Sequence, residues 1–179
     1  KELKAVTDEK EIEERFYREL EFGTAGMRGI LGIGTNRINV YNVRRASQGV
    51  AECVLSKGST GANAGVLIGY DTRHYSRRFA EETAAVLCGN GIKVYLFDKV
   101  HSVPEVSFGI RELKAEAGVM ITASHNPKEY NGYKVYGSDG GQIPPAAAEV
   151  VISAIEKCDY FSGIKYMQLD EAREKGLLI

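Results

Sequence analysis

Apolar residues recur along this chain in short blocks separated by polar, glycine-bearing connections. Over Asp8 to Leu20, the apolar residues Ile12, Phe16 and Leu20 fall four apart. That spacing predicts a helix with a narrow apolar stripe, lying on the surface, with Asp8 as its cap and Glu11 completing a capping box. From Asn42 to Lys57, the face Val43, Ala46, Val50 and Val54 predicts a second helix, capped by Asn42 and stopped by Gly58. Ser59 to Ala64 reads as a polar loop, and Val66 to Tyr70 as an apolar run of strand length. Ser76 can cap a helix that points Phe79, Thr83, Val86 and Leu87 inward and ends at Gly89-Asn90-Gly91. Ile92 to Phe97 predicts a strand, Pro104 opens a helix carrying Val106, Ile110 and Leu113, and Gly118 to Thr122 predicts another strand. Asn131-Gly132 can supply the positive φ values of a tight hairpin turn that returns Lys134 towards Ser124. Asp139-Gly140-Gly141 turns the chain again, and Pro144-Pro145 starts a final helix with Val150, Val151, Ala154 and Ile155 on its apolar face. Tyr160 to Ile179 has a weaker pattern and reads as a connecting segment.

Strands separated by helices of this length imply βαβ units. The expected fold class is α/β, a three-layer α/β/α sandwich around a mixed, mostly parallel sheet. In such sheets ligands sit beyond the carboxyl ends of the strands. Asp71 and Ser124 both fall just after apolar strands, so both should open on the same edge. A net charge of -1 gives no electrostatic reason to expect a nucleic-acid partner. There is no apolar run of spanning length and no signal-peptide pattern, so no membrane partner is expected. Cys53, Cys88 and Cys158 are scattered and odd in number, as reduced cysteines of a cytoplasmic protein would be.

The candidate chemistry centres on Thr122-Ala123-Ser124-His125-Asn126-Pro127. Pro127 holds Asn126 out of helix and keeps the loop extended. A serine hydrolase would want a Gly-x-Ser-x-Gly elbow and a His–carboxylate pair. Ser124 has neither, and His125, adjacent in sequence, points elsewhere than its neighbour's hydroxyl. The expected neighbours of Ser124 are donors and cations: Asn126, Lys134 and, through the fold, Arg28. Such surroundings suit a serine that carries a phosphoryl group, with its nearly two negative charges and three acceptor oxygens. The plainer reading of Ser124 is a loop serine capping a turn. Phe22 to Gly34 is glycine-rich without the spacing of a P-loop or a dinucleotide site. It reads either as a loop leading into a β-ribbon or as backbone approaching an anion beside Arg28. Lys134 is either a solvated strand lysine or a cation, or lowered-pKa base, near a phosphoryl group. Asp71 and Arg73 read as a salt bridge bracing the site more readily than as substrate ligands. Tyr130, Tyr133 and Tyr136 read as packing the hairpin, the alternative being that one of them lines a sugar site.

Thr122-Ala123-Ser124-His125-Asn126-Pro127 followed by Asn131-Gly132-Tyr133-Lys134 resembles the active-site serine loop of the α-D-phosphohexomutase superfamily, the phosphoglucomutases and phosphomannomutases. Glu21-Phe22-Gly23-Thr24-Ala25-Gly26-Met27-Arg28-Gly29 resembles that family's N-terminal arginine loop, and Gly69-Tyr70-Asp71-Thr72-Arg73 its Gly-x-Asp-x-Arg segment. The three occur in the family's order over roughly residues 20–157, with wording most like the phosphoglucomutase/phosphopentomutase branch. Ala25 and Met27 differ from the wording of some relatives, whereas Arg28 is retained.

The resemblance implies a lead-in helix over 1–20, the superfamily's first domain over 21–157, and a linker over 158–179 towards a second domain. It implies Ser124, His125, Lys134 and Arg28 in catalysis, with Asn126, Thr122, Asp71 and Arg73 at the phosphate or substrate. It further implies interconversion of glucose 1-phosphate and glucose 6-phosphate through a phosphoserine and a bisphosphorylated sugar. Glucose 1,6-bisphosphate would be the activator, and Mg²⁺ would be held partly by the phosphate on Ser124. The other metal ligands, the sugar-recognition segment and the distal phosphate site would lie in the remaining domains of the same polypeptide, so this chain alone would not turn over. The alternatives are a phosphomannomutase or phosphopentomutase of the same superfamily, a non-catalytic phosphosugar-binding module, or a hydrolase using Ser124.

Overall fold

Fourteen elements follow one another in the computed structural model, which describes residues 2–24 and 26–179. They are α1 (Glu2–Ala5), α2 (Glu9–Phe16), β1 (Phe22–Gly23), β2 (Gly26–Ile30), α3 (Val40–Leu55), α4 (Gly58–Ala64) and β3 (Val66–Tyr70). Then come α5 (Ser76–Gly89), β4 (Val94–Leu96), α6 (Val103–Glu112), β5 (Ala117–Ile121), β6 (Tyr130–Gly137), α7 (Pro145–Lys157) and α8 (Leu169–Glu174). Ala25, part of the expected arginine loop, lies outside the described residues.

The strands form one six-stranded sheet in the order β1-β2-β6-β5-β3-β4. It is mixed: β5-β3 and β3-β4 pair in parallel, whereas β1-β2, β2-β6 and β6-β5 pair antiparallel. Parallel pairs are therefore two of the five, fewer than expected, because β6 runs straight back beside β5 and the β1-β2 ribbon adds on its far side. Alternation along the central strands sorts the layers. Val66, Ile68, Val119, Ile121, Tyr133 and Val135 pack with Val43, Val50, Phe79, Leu87 and Val151 of α3, α5 and α7. Leu67, Met120 and Tyr136 pack on the other face with Val106 and Ile110 of α6. With both faces covered, β3 and β5 are buried at every residue, as their continuous apolar runs require. Among the described residues no helix is long and apolar enough to cross a membrane.

Several local expectations change. α2 has Asp8 as its cap, but it stops at Phe16, because Leu20 N–H leaves to donate to Thr35 O and Asn36 N–H donates to Arg15 O. Glu11 completes no capping box and accepts from Arg15 instead. Asn39, not Asn42, caps α3: its Oδ1 accepts from Tyr41 N and Asn42 N, while its Nδ2 donates to the carbonyls of Gly32, Gly34 and Arg37. The expected polar loop at 59–64 is the short helix α4. Tyr75 precedes α5 as its cap residue, in the left-handed region with φ 66°, and Ser76 is the first helical residue.

Asn131-Gly132 is not a turn. Both residues lie inside β6, and the chain reverses between Thr122 and Tyr130. Gly132 is there for space: a Cβ on it would come within 2.6 Å of Thr122 O and 3.0 Å of Met27 O, from the strands on either side. Residues 158–179 are more than a connection. Arg45 donates to Ile155 O and Cys158 O and stacks on Tyr160, and Met167 N–H donates to Ala85 O. Helix α8 buries Ala172, and Leu178 forms a parallel bridge to Val94, with Ile179 exchanging backbone hydrogen bonds with β4. α7 is therefore not the final helix.

Candidate active site

The parallel register puts Tyr70 opposite Ile121, so the segments that follow β3 and β5 leave the sheet side by side. Asp71 N–H donates to Ile121 O at 3.2 Å, which ties the two exits together. Asp71 and Ser124 thus open on one edge, as the strand pattern implied. A depression of about 370 Å³ there is lined by Asp71, Thr72, Arg73, His74, Ser124, Asn126 and Lys128.

Ser124 is exposed and holds φ at 56°, a left-handed conformation that costs a non-glycine residue about 1–2 kcal/mol. Both of its backbone polar groups are pinned. Its N–H donates to Thr122 Oγ1 at 2.9 Å, and its carbonyl accepts from Arg73 Nη2 at 2.7 Å. Thr122 thus braces the serine loop. Arg73 is fully committed too. Nη2 also reaches Asn126 O at 2.6 Å, Nη1 reaches Pro127 O at 2.8 Å and Tyr130 O at 3.1 Å, and Nε lies 3.4 Å from Asp71 Oδ2. A guanidinium has five N–H groups, and these contacts occupy all of its nitrogens. Asp71 accepts from Arg73 N and Ser76 Oγ through Oδ1. Asp71 and Arg73 are the loop's scaffold, the bracing role that the sequence favoured over substrate contact.

The cations come from the antiparallel half of the sheet. β2 and β6 place Arg28 opposite Gly132, and β6 and β5 place Lys134 opposite Met120. Lys134 Nζ donates to Ser124 Oγ at 2.8 Å, and Arg28 Nη1 donates to Asn126 Oδ1 at 2.6 Å. Among the described residues neither takes part in an ion pair, so their charge is left for something else. Burial pushes the Lys134 pKa down, and the Arg28 charge adds to the fall. Lys134 was returned to Ser124 as expected, but by strand pairing and not by an Asn-Gly turn. Arg28 stands on a strand and not in a loop, which makes the ribbon reading of the glycine-rich stretch the better one. His125 is exposed and makes no side-chain hydrogen bond among the described residues. The structure brings Ser124, Lys134, Asn126 and Arg28 together and leaves His125 aside.

Sequence reasoning missed Ser76 and Asn131. Both are fully buried, and Asn131 Nδ2 donates at 2.9 Å to Ser76 Oγ and to His74 O. Asn-Gly in a short polar stretch gave only a turn signal; the strand context that buries Asn131 is tertiary. Among the described residues no group of three or more His, Cys, Asp or Glu could hold a metal ion.

Residues 19–161 match the family described as phosphoglucomutase/phosphomannomutase, alpha/beta/alpha domain I. A curated relative, the phosphoglucomutase of Staphylococcus epidermidis (strain ATCC 35984), is 46% identical over 148 residues, 83% of this chain and 27% of the relative. Among solved structures, a Thermus thermophilus protein superposes with a TM-score of 0.71 at 30% identity, over 88% of this chain and 34% of that one. The Paramecium phosphoprotein pp63/parafusin in its open form superposes at 0.65 with 23% identity, over 89% of this chain and 28% of that one, a likeness of fold alone. The chain spans about a quarter of the length of the curated relatives it matches, between 23% and 27%.

Proposed function

Since the chain belongs to the phosphoglucomutase/phosphomannomutase family, as its alpha/beta/alpha domain I, we propose that it carries the phosphoserine of a phosphoglucomutase. The enzyme would interconvert glucose 1-phosphate and glucose 6-phosphate. One observation carries the reading: Ser124 Oγ accepts from a half-buried lysine whose charge no described carboxylate balances, with Arg28 beside it. A neutral hydroxyl has little need of two such cations, whereas a phosphoryl dianion does.

In the forward half-reaction the P–Oγ bond of phosphorylated Ser124 breaks as a bond forms from phosphorus to the free hydroxyl oxygen of the sugar monophosphate. Lys134 gives a proton to the departing Oγ, and the sugar hydroxyl releases its own to solvent. In the return half-reaction Ser124 Oγ attacks the other phosphate of the bisphosphate, whose bond to the sugar oxygen breaks; neutral Lys134 takes the Ser124 proton, and the departing sugar oxygen takes one from solvent. Its lowered pKa suits it to both roles. Arg28, held through Asn126, stabilises charge on the equatorial oxygens.

Mg²⁺ fits this chain only in part. A phosphate on Ser124 offers one oxygen, and Asp71, the carboxylate in the loop's hydrogen-bond network, is occupied by Ser76 and Arg73. The remaining ligands would come from outside this chain, where Mg²⁺ would supply charge neutralisation. Ser124 is exposed at the edge of an open depression, and the isolated chain should fold without turning over.

The test is peptide mass mapping of the full-length polypeptide before and after glucose 1,6-bisphosphate. Phosphate on the Ser124 peptide that glucose 1-phosphate or glucose 6-phosphate then discharges supports the cycle. A folded protein that binds the sugar phosphate yet never phosphorylates Ser124 overturns it.

A further inference from the structure

The left-handed serine needs something to hold it, and the hydrogen bonds that do so run inward. Ser124 O accepts from Arg73, Arg73 is set by Asp71, and Asp71 Oδ1 accepts from Ser76 Oγ at 2.7 Å. Ser76 Oγ in turn accepts from Asn131 Nδ2 at 2.9 Å. Ser76 and Asn131 are both 0% exposed and touch neither Ser124 nor the depression beside it. Their polar groups have no water to fall back on, so each bond has one geometry available to it. Asn131 also donates to His74 O and accepts from Gly132 N, which fixes the amide face that meets Ser76. It stands in β6 three residues before Lys134. One strand thus carries both the lysine that touches Ser124 Oγ and the amide that starts the relay to the Ser124 backbone.

We propose that Ser76 and Asn131 are positioning residues for the serine loop. Through Asp71 and Arg73 they hold Ser124 in its left-handed conformation, with Oγ registered against Lys134. The inference rests on Ser124 being the reacting serine. A helix-start serine with a purely structural role would support α5 alone. The relay instead predicts that losing Ser76 Oγ lets the Arg73 fork slip against its four carbonyls, and small misplacements of a reacting atom cost rate far more than binding.

The experiment is a double-mutant cycle in the full-length polypeptide, with Ser76→Ala, Arg73→Ala and both together, reading the rate at which Ser124 gains phosphate from glucose 1,6-bisphosphate. Ser76→Ala should slow the reaction about tenfold, with KM unchanged within about twofold, and Arg73→Ala about a hundredfold. The double variant should be no slower than Arg73→Ala, because Ser76 acts through Arg73. Wild-type rates in Ser76→Ala, or losses that multiply in the double variant, would overturn the proposal. A second readout does not depend on phosphoryl chemistry. Amide exchange at Ser124 and Asn126 should quicken about tenfold in Ser76→Ala and in Asn131→Asp, while amides in the middle of α5 keep their wild-type rates. If the wild-type protein takes no phosphate, the reading of Ser124 falls, and the exchange arm alone decides the relay. Unchanged exchange at Ser124 refutes it.

Discussion

Replacing Lys134 with methionine keeps most of the apolar stem and removes the ammonium that lies 2.8 Å from Ser124 Oγ. A hydrogen bond from a cation to a charged acceptor contributes about 1.5–3 kcal/mol net. Ser124 faces water, so screening favours the low end, about 1.5–2 kcal/mol. At about 1.4 kcal/mol per tenfold, the ratio of phosphorylated to free Ser124 at a fixed glucose 1,6-bisphosphate concentration should fall roughly 10- to 30-fold in Lys134→Met. Intact-mass measurement of the full-length polypeptide reads that ratio directly. The pH dependence has a definite sign. Burial, with the Arg28 charge behind it, lowers the Lys134 pKa, so the ammonium is lost earlier than from an ordinary lysine as pH rises. Wild-type phosphate retention should therefore decline towards the variant's value as the medium becomes alkaline, while the variant stays flat. A Lys134→Met protein that keeps its phosphate within about threefold of wild type, at neutral pH and low salt, would refute the assignment of Lys134 to the phosphoryl group.

The same substitution should act oppositely on the unphosphorylated chain. Lys134 binds its proton more weakly folded than unfolded, so its contribution to stability rises with pH between the two pKa values and is a penalty below them. Lys134→Met should then leave the urea midpoint at neutral pH unchanged or raise it, and a clear loss would count against the lowered pKa. Gly132→Ala pushes a methyl group towards Thr122 O and Met27 O, an overpacking that should cost about 1–3 kcal/mol and slow phosphorylation of Ser124 with it; an unchanged urea midpoint would sink the close-approach reading. Leu178→Ala should destabilise the whole domain by about 2 kcal/mol, because that side chain is buried beside β4; calorimetry showing no shift would mean that the tail docks without contributing. Cys88, buried and pushed up to about 11, should resist Ellman's reagent at neutral pH until the chain unfolds, and rapid labelling in native buffer would contradict its burial.

Sequence periodicity exposed the layers well, because β3 and β5 are covered on both faces and each written as one apolar run. It also located the edge of the site, since Asp71 and Ser124 each follow such a run. What it could not show was pairing between distant strands. Asn131-Gly132 is the plainest case: the dipeptide carries a turn signal, yet β2 and β5 recruit it into β6, where the glycine is needed for room and the asparagine for its amide. Asn39 and Asn42 are both able caps, and only the carbonyls of the preceding loop decide between them. Arg73 reads in sequence as the partner of Asp71, and nothing local shows that its two terminal nitrogens also bind four carbonyls of a loop some fifty residues away. The last twenty residues have little periodicity because they dock piecemeal, through Arg45, the Ala85 carbonyl and β4.

That docking bears on how the molecule keeps to itself. A three-residue strand such as β4 at the margin of a sheet presents unpaired amides to any passing extended chain, and natural sheets shield such margins to avoid self-association. Here Leu178 and Ile179 occupy the margin, beyond an exposed stretch that contains Phe161 at 84% exposure and Gly163 with positive φ. A protease nick in that stretch would spare every group around Ser124 and still loosen the cover. The first symptom of such a nick would be oligomers growing from the β4 side, with the chemistry of Ser124 intact in whatever remained monomeric.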